Sequence, residues 1–349
     1  MSKRFLIKHV GNMGDMIFFI PPVLETLKRV YPACHITFVT AWGFKDTKGR
    51  WGKRNQDGFC LALMMHNPFI DQLIHYHDTK LVLDGSLCQE EGKRFPTWNQ
   101  VYYATQKNSG EYDGVYELDM GIGHTENPLA RMYDAVGLPG EEYSNYQLYL
   151  TESDKAVAAQ VMQYLPRPRI VLLEGLEGTT TRGWDPAKIP PLVAAITSQY
   201  EVAPIWFGGK HTREWQGRSL TLRENIATLL YADVSIGVLS GPLHFAAAVG
   251  LPTITLYADH PLHRTAPAYF LNRYISPPKK KHRTILGPSG SQYTLLKHNG
   301  PSPNLTPIEA AAQGAINWRK PGKQATKTGL AAITVSEVCA VLQDVLLPA

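Results

Sequence analysis

Two short apolar stretches flank a helical pattern near the start of the chain, and nothing else in it narrows the possible folds as much. "RFLIKHV" (4–10) ends at Gly11, and "HITFVT" (35–40) follows a turn. Both read as buried strands. Between them Ile20, Val23, Leu24, Leu27 and Val30 recur with the 3.6-residue period of an amphipathic helix. Pro21 and Pro22 place the first turn of that helix or kink it. Strand, helix and strand in so short a span make a βαβ unit, and a right-handed crossover makes its strands parallel.

The pattern returns in the second half. A helical stretch at 152–165 and "PRPR" separate the halves. Then come strands "IVLLEGL" (170–176), "APIWFGG" (203–209) and "TITLYA" (253–258), with a helix at 188–199. The expected class is α/β, with two Rossmann-like domains facing one cleft. We place an N-terminal domain at 1–150, a C-terminal domain at 166–333 and a closing helix at 334–349, capped near Thr334 or Ser336. Residues 277–328 are rich in Pro, Gly, Lys and Ser and read as an irregular insertion, with one helix at 306–316. No internal repeat is found.

Composition sets outer limits. At 349 residues the chain is long for one core and ample for two domains. No apolar run reaches the roughly 18 residues of a membrane span. Lys8 and His9 interrupt the N-terminal apolar stretch, so no signal peptide is read. The four cysteines, Cys34, Cys60, Cys88 and Cys339, lack metal-type spacing and read as free thiols in a reducing cytoplasm. A net charge of +5 suits an anionic ligand and does not call for nucleic acid. The basic stretch 41–60, with Lys45 and Arg50, is either a solvated loop or an anion-facing lip.

The stretch "GVLSGPLHFAAAVGLPTITLYA" (237–258) carries the most chemistry. Ser240 stands at an N-cap, Pro242 in the first turn, and Gly250 closes a nearly all-apolar, hence buried, helix. The N-terminus of such a helix offers backbone N–H groups and partial positive charge, a seat for phosphate. Gly241 permits close approach of a ligand to the backbone. His244, one turn in, reads either as a hydrogen-bonded core histidine or as a ligand contact. "EGLEGTTTRGW" (174–184) follows a strand, at the edge where open α/β sheets bind ligands. Its threonines and arginine are a polar turn or diphosphate donors. In "GNMGD" (11–15), Asp15 is either a helix cap or a base. A dinucleotide-binding dehydrogenase is disfavoured, because "GNMG" lacks the third glycine of that fingerprint.

"GDMIFFIPPVLETLKRVYP", "TTTRGW" and "ADVSIGVLSGPLHFAAAVGLPTITLYA" together resemble the bacterial heptosyltransferases, inverting GT-B glycosyltransferases that move heptose from ADP-heptose to lipopolysaccharide core. The resemblance runs in patches over 4–40 and 166–260, and returns weakly at 334–347. It implies a GT-B fold, a nucleotide-sugar donor, a saccharide or glycolipid acceptor, and a cytoplasmic protein in peripheral contact with the inner membrane.

By the same resemblance, Asp15 is the general base, with Gly14, His9, Lys45 and Arg50 on the acceptor side. Thr179, Thr180, Thr181, Arg182, Glu214, Ser240, Gly241 and His244 are the donor contacts. Glu214 is the nearest acid to the family's nucleoside contact, a couple of residues out of register. No Asp-x-Asp pair occurs, so no metal and no cofactor is expected. Two positions depart from the pattern. Leu239 stands where the family has Asp or Asn, and His9 where it has Arg. Leu239 keeps an alternative in view, a nucleotide-sugar-binding protein that has lost transfer, or a member using another donor.

Overall fold

The computed structural model describes residues 2–10, 13–41, 59–77, 87–90, 92–118, 128–138, 148–177, 184–208, 213–238, 240–257, 282–286, 295–298 and 333–346. They fall into two units, Met1–Leu150 and Thr151–Ala349.

In the first unit "RFLIK" is the strand β1 (Arg4–Lys8), and Leu6 and Ile7 have no exposure, so both of its faces are covered. Two helices follow, α1 (Met13–Phe18) and α2 (Ile20–Val30), parted at Phe19. Pro21 and Pro22 fall in the first turn of α2, where N–H groups have no intrahelical acceptor to lose. The Pro22 carbonyl accepts from the Tyr133 hydroxyl at 3.0 Å, and that oxygen lies 2.9 Å from Thr26 Oγ1. Next come β2 (His35–Ala41), α3 (Phe59–Met64), β3 (Gln72–His77), β4 (Leu87–Glu90), β5 (Lys93–Asn99), α4 (Gln100–Lys107), β6 (Gly114–Glu117) and α5 (Pro128–Ala135). The strand order is β4-β5-β3-β2-β1-β6. Every pairing is parallel except β4 with β5. The chain therefore builds outward from β1 in one direction and returns to its other side at β6. Asn99 starts α4 by accepting from Val101 N and Tyr102 N, at 2.9 and 2.8 Å.

In the second unit α6 (Glu152–Met162) opens on a capping box between Thr151 and Asp154. Then follow β7 (Ile170–Leu173), α7 (Ile189–Tyr200), β8 (Ile205–Phe207), the ribbon β9 (Glu214–Trp215) and β10 (Arg218–Ser219), α8 (Leu222–Thr228), β11 (Val234–Val238), α9 (Gly241–Ala248) and β12 (Thr253–Tyr257). The chain ends with β13 (His282–Leu286), β14 (Leu295–His298) and α10 (Val335–Leu346). The six-stranded order is β14-β13-β12-β11-β7-β8. Its core joins Ile170, Leu172, Val234, Ile236 and Ile254 of the strands to Leu192 and Ile196 of α7 and Val338 and Leu342 of α10. Truncating one such buried leucine, as in Leu342→Ala, costs about 2–5 kcal/mol. Thr334 caps α10, receiving Glu337 N at 3.3 Å while its own N–H reaches the Glu337 carboxylate at 2.8 Å.

Part of 277–328 departs from the irregular insertion read in the sequence. β13 pairs parallel with β12, and β14 pairs antiparallel with β13. The ladder with β12 supplies a partner for "HRTIL" that its flanks of lysine and proline conceal. The helix read at 306–316 lies outside the described residues.

Candidate functional site

Each sheet has one place where its strand order reverses, and open α/β sheets bind ligands outside the carboxyl ends of their strands at such a place. In the first unit it lies between β1 and β6, which flank each other in register, Lys8 opposite Glu117. His9, just past β1, is 4% exposed. Its backbone N–H donates to Val39 O at 3.0 Å, and its Nδ1 lies 3.0 Å from Leu118 O, just past β6. His9 thus ties together the two turns that leave this edge. Gly14 and Asp15 fall in the first turn of α1, and Gly14 is buried. Asp15 is the third residue of the helix, which is not the N-cap position, and its side chain lies outside the described residues. Lys8 lies over the rings of Tyr76 and Tyr103, at 5.2 and 5.4 Å. Glu117 accepts from Lys107 Nζ at 3.0 Å. Burial raises the Glu117 carboxyl pKa, but hydrogen bonds from Lys107 and Tyr103 outweigh it and hold the group below its ordinary value.

In the second unit the reversal lies between β7 and β11. The sequence places "EGLEG" after β7 and "SGPLHF" after β11, and the structure brings these two turns into contact. The chain leaves β7 through a 3₁₀ turn, Glu174–Glu177, whose Leu176 has no exposure. A Cβ on Gly175 would fall 2.7 Å from Ser240 Oγ and 2.9 Å from Val238 Cγ2, so only glycine fits there. On the other side of β7, Gly208 closes β8 at φ 146°, and a Cβ there would fall 2.1 Å from Glu174 Cβ. At three neighbouring strand ends a glycine backbone thereby lies directly against the side chains of Ser240, Val238 and Glu174.

Ser240 occupies the N-cap position of α9, yet its hydroxyl makes no cap and donates to Val238 O at 3.1 Å. The expected side-chain cap is therefore replaced by a bond back to the strand, and Ser240 does not cover the amide end of α9. Gly241 is the first residue of the helix. His244 is 8% exposed, and burial alone pulls its pKa down to about 4. At neutral pH it is an uncharged imidazole, able to offer one N–H but no positive charge.

Thr179, Thr180, Thr181 and Arg182 lie outside the described residues, as do Lys45, Arg50 and Leu239. The segment that carries the threonines has Gly175 before it and Trp184 after it. Trp184 is 1% exposed and donates Nε1–H to Ile333 O at 3.2 Å, an oxygen that also accepts from Lys188 Nζ at 2.8 Å. Glu214 is exposed on β9, in register with Ser219. Neither Gly175 nor Gly208 was singled out in the sequence. The available signal was a glycine directly after an apolar run, which marks close backbone approach as well as a turn. Among the described residues no group of three His, Cys, Asp or Glu side chains could hold a metal ion. No helix among them is long and apolar enough to cross a membrane.

A sequence model of glycosyltransferase family 9 (heptosyltransferase) matches residues 217–285, from the β9–β10 turn through α9 to β13. The match falls within the second unit and covers about a fifth of the chain. No curated protein matches the chain. Solved structures agree over nearly its whole length. A family 9 glycosyl transferase from Veillonella parvula is 15% identical, with a TM-score of 0.51 over 100% of this chain and 99% of its own. The ADP-heptose lps heptosyltransferase II of E. coli is 14% identical, with a TM-score of 0.53 over 99% and 98%. The dodecameric iron-containing heptosyltransferase TibC of enterotoxigenic E. coli, in complex with ADP-D-beta-D-heptose, is 12% identical, with a TM-score of 0.50 over 99% and 76%. At these identities the likeness establishes the fold, which is the α/β class of the GT-B heptosyltransferases. The family 9 match and this fold together support a glycosyltransferase.

Proposed function

We propose that the chain is an inverting, metal-independent glycosyltransferase that takes its sugar from a nucleoside-diphosphate sugar, with ADP-heptose the first donor to try. The acceptor proposed is a saccharide of the lipopolysaccharide-core kind. The observation that carries the reading is the meeting of Gly175 with Ser240 at the reversal point of the second sheet, beside the amide end of α9. The start of such a helix offers backbone N–H groups and partial positive charge, which suit a phosphate. The complex of TibC with ADP-D-beta-D-heptose supports the choice of donor.

In this reading Ser240, Gly241, Arg182 and Thr179–Thr181 hold the diphosphate, while His244 contributes an uncharged N–H and Glu214 contacts the nucleoside. Asp15 takes the proton from an acceptor hydroxyl as that oxygen attacks the anomeric carbon. The bond from that carbon to the diphosphate oxygen breaks, the nucleoside diphosphate leaves, and configuration inverts. The charge that grows on the leaving group is met by the helix end and Arg182. Gly14 and His9 shape the acceptor side. Lys45 and Arg50, in the basic loop, face an anionic acceptor or membrane surface.

The test is a transfer assay with ADP- and UDP-sugars in the presence of EDTA, with the product anomer read by NMR. Asp15→Asn is expected to lose about 10²- to 10⁴-fold in turnover while donor binding stays intact. Near-normal turnover in that variant removes Asp15 from the chemistry. A product of retained configuration, or activity abolished by EDTA, refutes the mechanism. Leu239, in place of Asp or Asn, favours the second reading of a binding protein without transfer. Calorimetric binding of a nucleotide sugar, with no turnover on any acceptor, decides for it. Binding to anionic liposomes at low salt, compared with a Lys45→Glu/Arg50→Glu variant, tests the membrane contact.

A further inference from the structure

The pairs across β1 and β6 change character along the strands. Leu6 lies opposite Val115, and both pack in an apolar cluster with Val39, Ile74 and Trp98. Two residues further on, at the carboxyl ends, Lys8 lies opposite Glu117. Side chains two apart on a strand share a face, so the charged pair continues the apolar row. The core on this face therefore ends in two opposite charges. It does so at the reversal point of the first sheet, where an open α/β sheet takes its ligand.

Two tyrosines complete this rim. Tyr76 of β3 and Tyr103 of α4 meet edge to face with centroids 5.7 Å apart, and Lys8 Nζ lies over both rings. Tyr103 is buried, and a hydrogen bond from its side chain helps to keep Glu117 ionised. Lys107 Nζ is the second donor to that carboxylate, at 3.0 Å, and Lys8 adds positive charge nearby. A carboxylate accepts about four hydrogen bonds, so about two places remain. The Glu117 side chain is 42% exposed, which leaves those places open to a ligand. An ionised carboxylate, an ammonium and aromatic rings at one strand-end edge suit a polyol. Its hydroxyls donate to the first and accept from the second, and its C–H groups pack on the third.

We propose that Glu117 is an acceptor-binding residue, its carboxylate accepting hydrogen bonds from neighbouring hydroxyls of a saccharide. This rests on the acceptor reading above and adds to it a contact at the end of β6.

Calorimetry on the full chain tests it with a dephosphorylated lipopolysaccharide-core oligosaccharide and, separately, with ADP, on wild type, Glu117→Ala and Glu117→Gln. Removing the phosphates leaves hydroxyl recognition as the quantity read. Glu117→Ala is expected to weaken oligosaccharide binding by about tenfold to a hundredfold, as charged hydrogen bonds are lost. ADP binding stays unchanged, and Glu117→Gln recovers part of the loss, because its amide oxygen still accepts. The melting temperature of ligand-free Glu117→Ala should fall by no more than about 4 °C, since the ion pair is exposed. The proposal is overturned if Glu117→Ala keeps its oligosaccharide affinity, if it loses oligosaccharide and ADP affinity alike, or if wild type binds no oligosaccharide. Oligosaccharide binding through Glu117, without sugar transfer, leaves this assignment standing and removes the enzymatic one. Transfer by Glu117→Ala with an unchanged acceptor KM does the reverse.

Discussion

Arg223 and Arg213 belong to neighbouring elements of the second unit, yet among the described residues only Arg223 has an acid beside it. Arg223, on α8, has no exposure, and its Nη2 donates to Asp154 Oδ2 of α6 at 2.6 Å. Asp154 is equally engaged, receiving Thr151 N and Thr151 Oγ1 at 2.7 Å each. Burial raises the Asp154 pKa, but the Thr151 hydrogen bonds and then Arg223 outweigh it, and the carboxyl stays below its usual value. His244 meets burial differently, by giving up its proton. Arg213 has no acid partner among the described residues, and an arginine does not shed its proton. A buried cation with an intramolecular anion locks helices together.

The largest effect should come from breaking the satisfied pair. Asp154→Ala strands Arg223 in the α6–α8 interface and should cost about 3–5 kcal/mol in urea unfolding, whereas Asp154→Leu with Arg223→Met should restore most of it. If Asp154→Ala costs under about 1 kcal/mol, the pair is no more structural than Arg213 and the contrast collapses.

Next is the acid response. Unfolded chain takes up a proton at His244 near the ordinary histidine value of about 6.5, and folded protein only near 4. Below the first value the unfolded state therefore binds more protons, and stability falls as pH drops through this window, by about 3 kcal/mol in all. Asp154 acts lower down. Its folded pKa is depressed, so its contribution is complete above the ordinary carboxylate range and is lost as pH falls below it. His244→Gln should flatten the upper stage only. A wild-type stability that stays level from neutrality to pH 4 would show that His244 is not held uncharged.

The smallest effect belongs to the ribbon. Arg218 binds Glu224, but its side chain is 50% exposed. Arg218→Ala should cost no more than about 1 kcal/mol in thermal unfolding, shrinking as salt is added. A larger, salt-independent loss would mean that this ion pair carries the fold, as Arg223 does.

The sequence made the ends of the chain easy to read and its middle hard. "RFLIK", "HITFV" and the helix after Ile20 are legible because one buried face imposes a regular period. β3 to β6 were not, since His75 and Tyr76 in β3, or Pro96 in β5, break the apolar run and make sense only beside their neighbours in the sheet. Of the candidate site, α9 and its glycines were legible from cap chemistry. The hydroxyl of Ser240 was misjudged, because whether it caps the helix or turns back to Val238 depends on how tightly Gly175 packs against it.

The sequence by itself determined the parallel α/β class, the position of each strand-to-helix turn in the family-like patches, and the residue types offered there. Period, capping and turn preferences are local, set by sterics within a few residues of chain. Only the tertiary structure decided which turns meet. Strand order brought Gly175 to Ser240 and Glu174 to Gly208, and the packing of α8 on α6 set Arg223 against Asp154. Those outcomes depend on which distant segments exclude water from a charge, and desolvation is a property of the packed surroundings rather than of the residue.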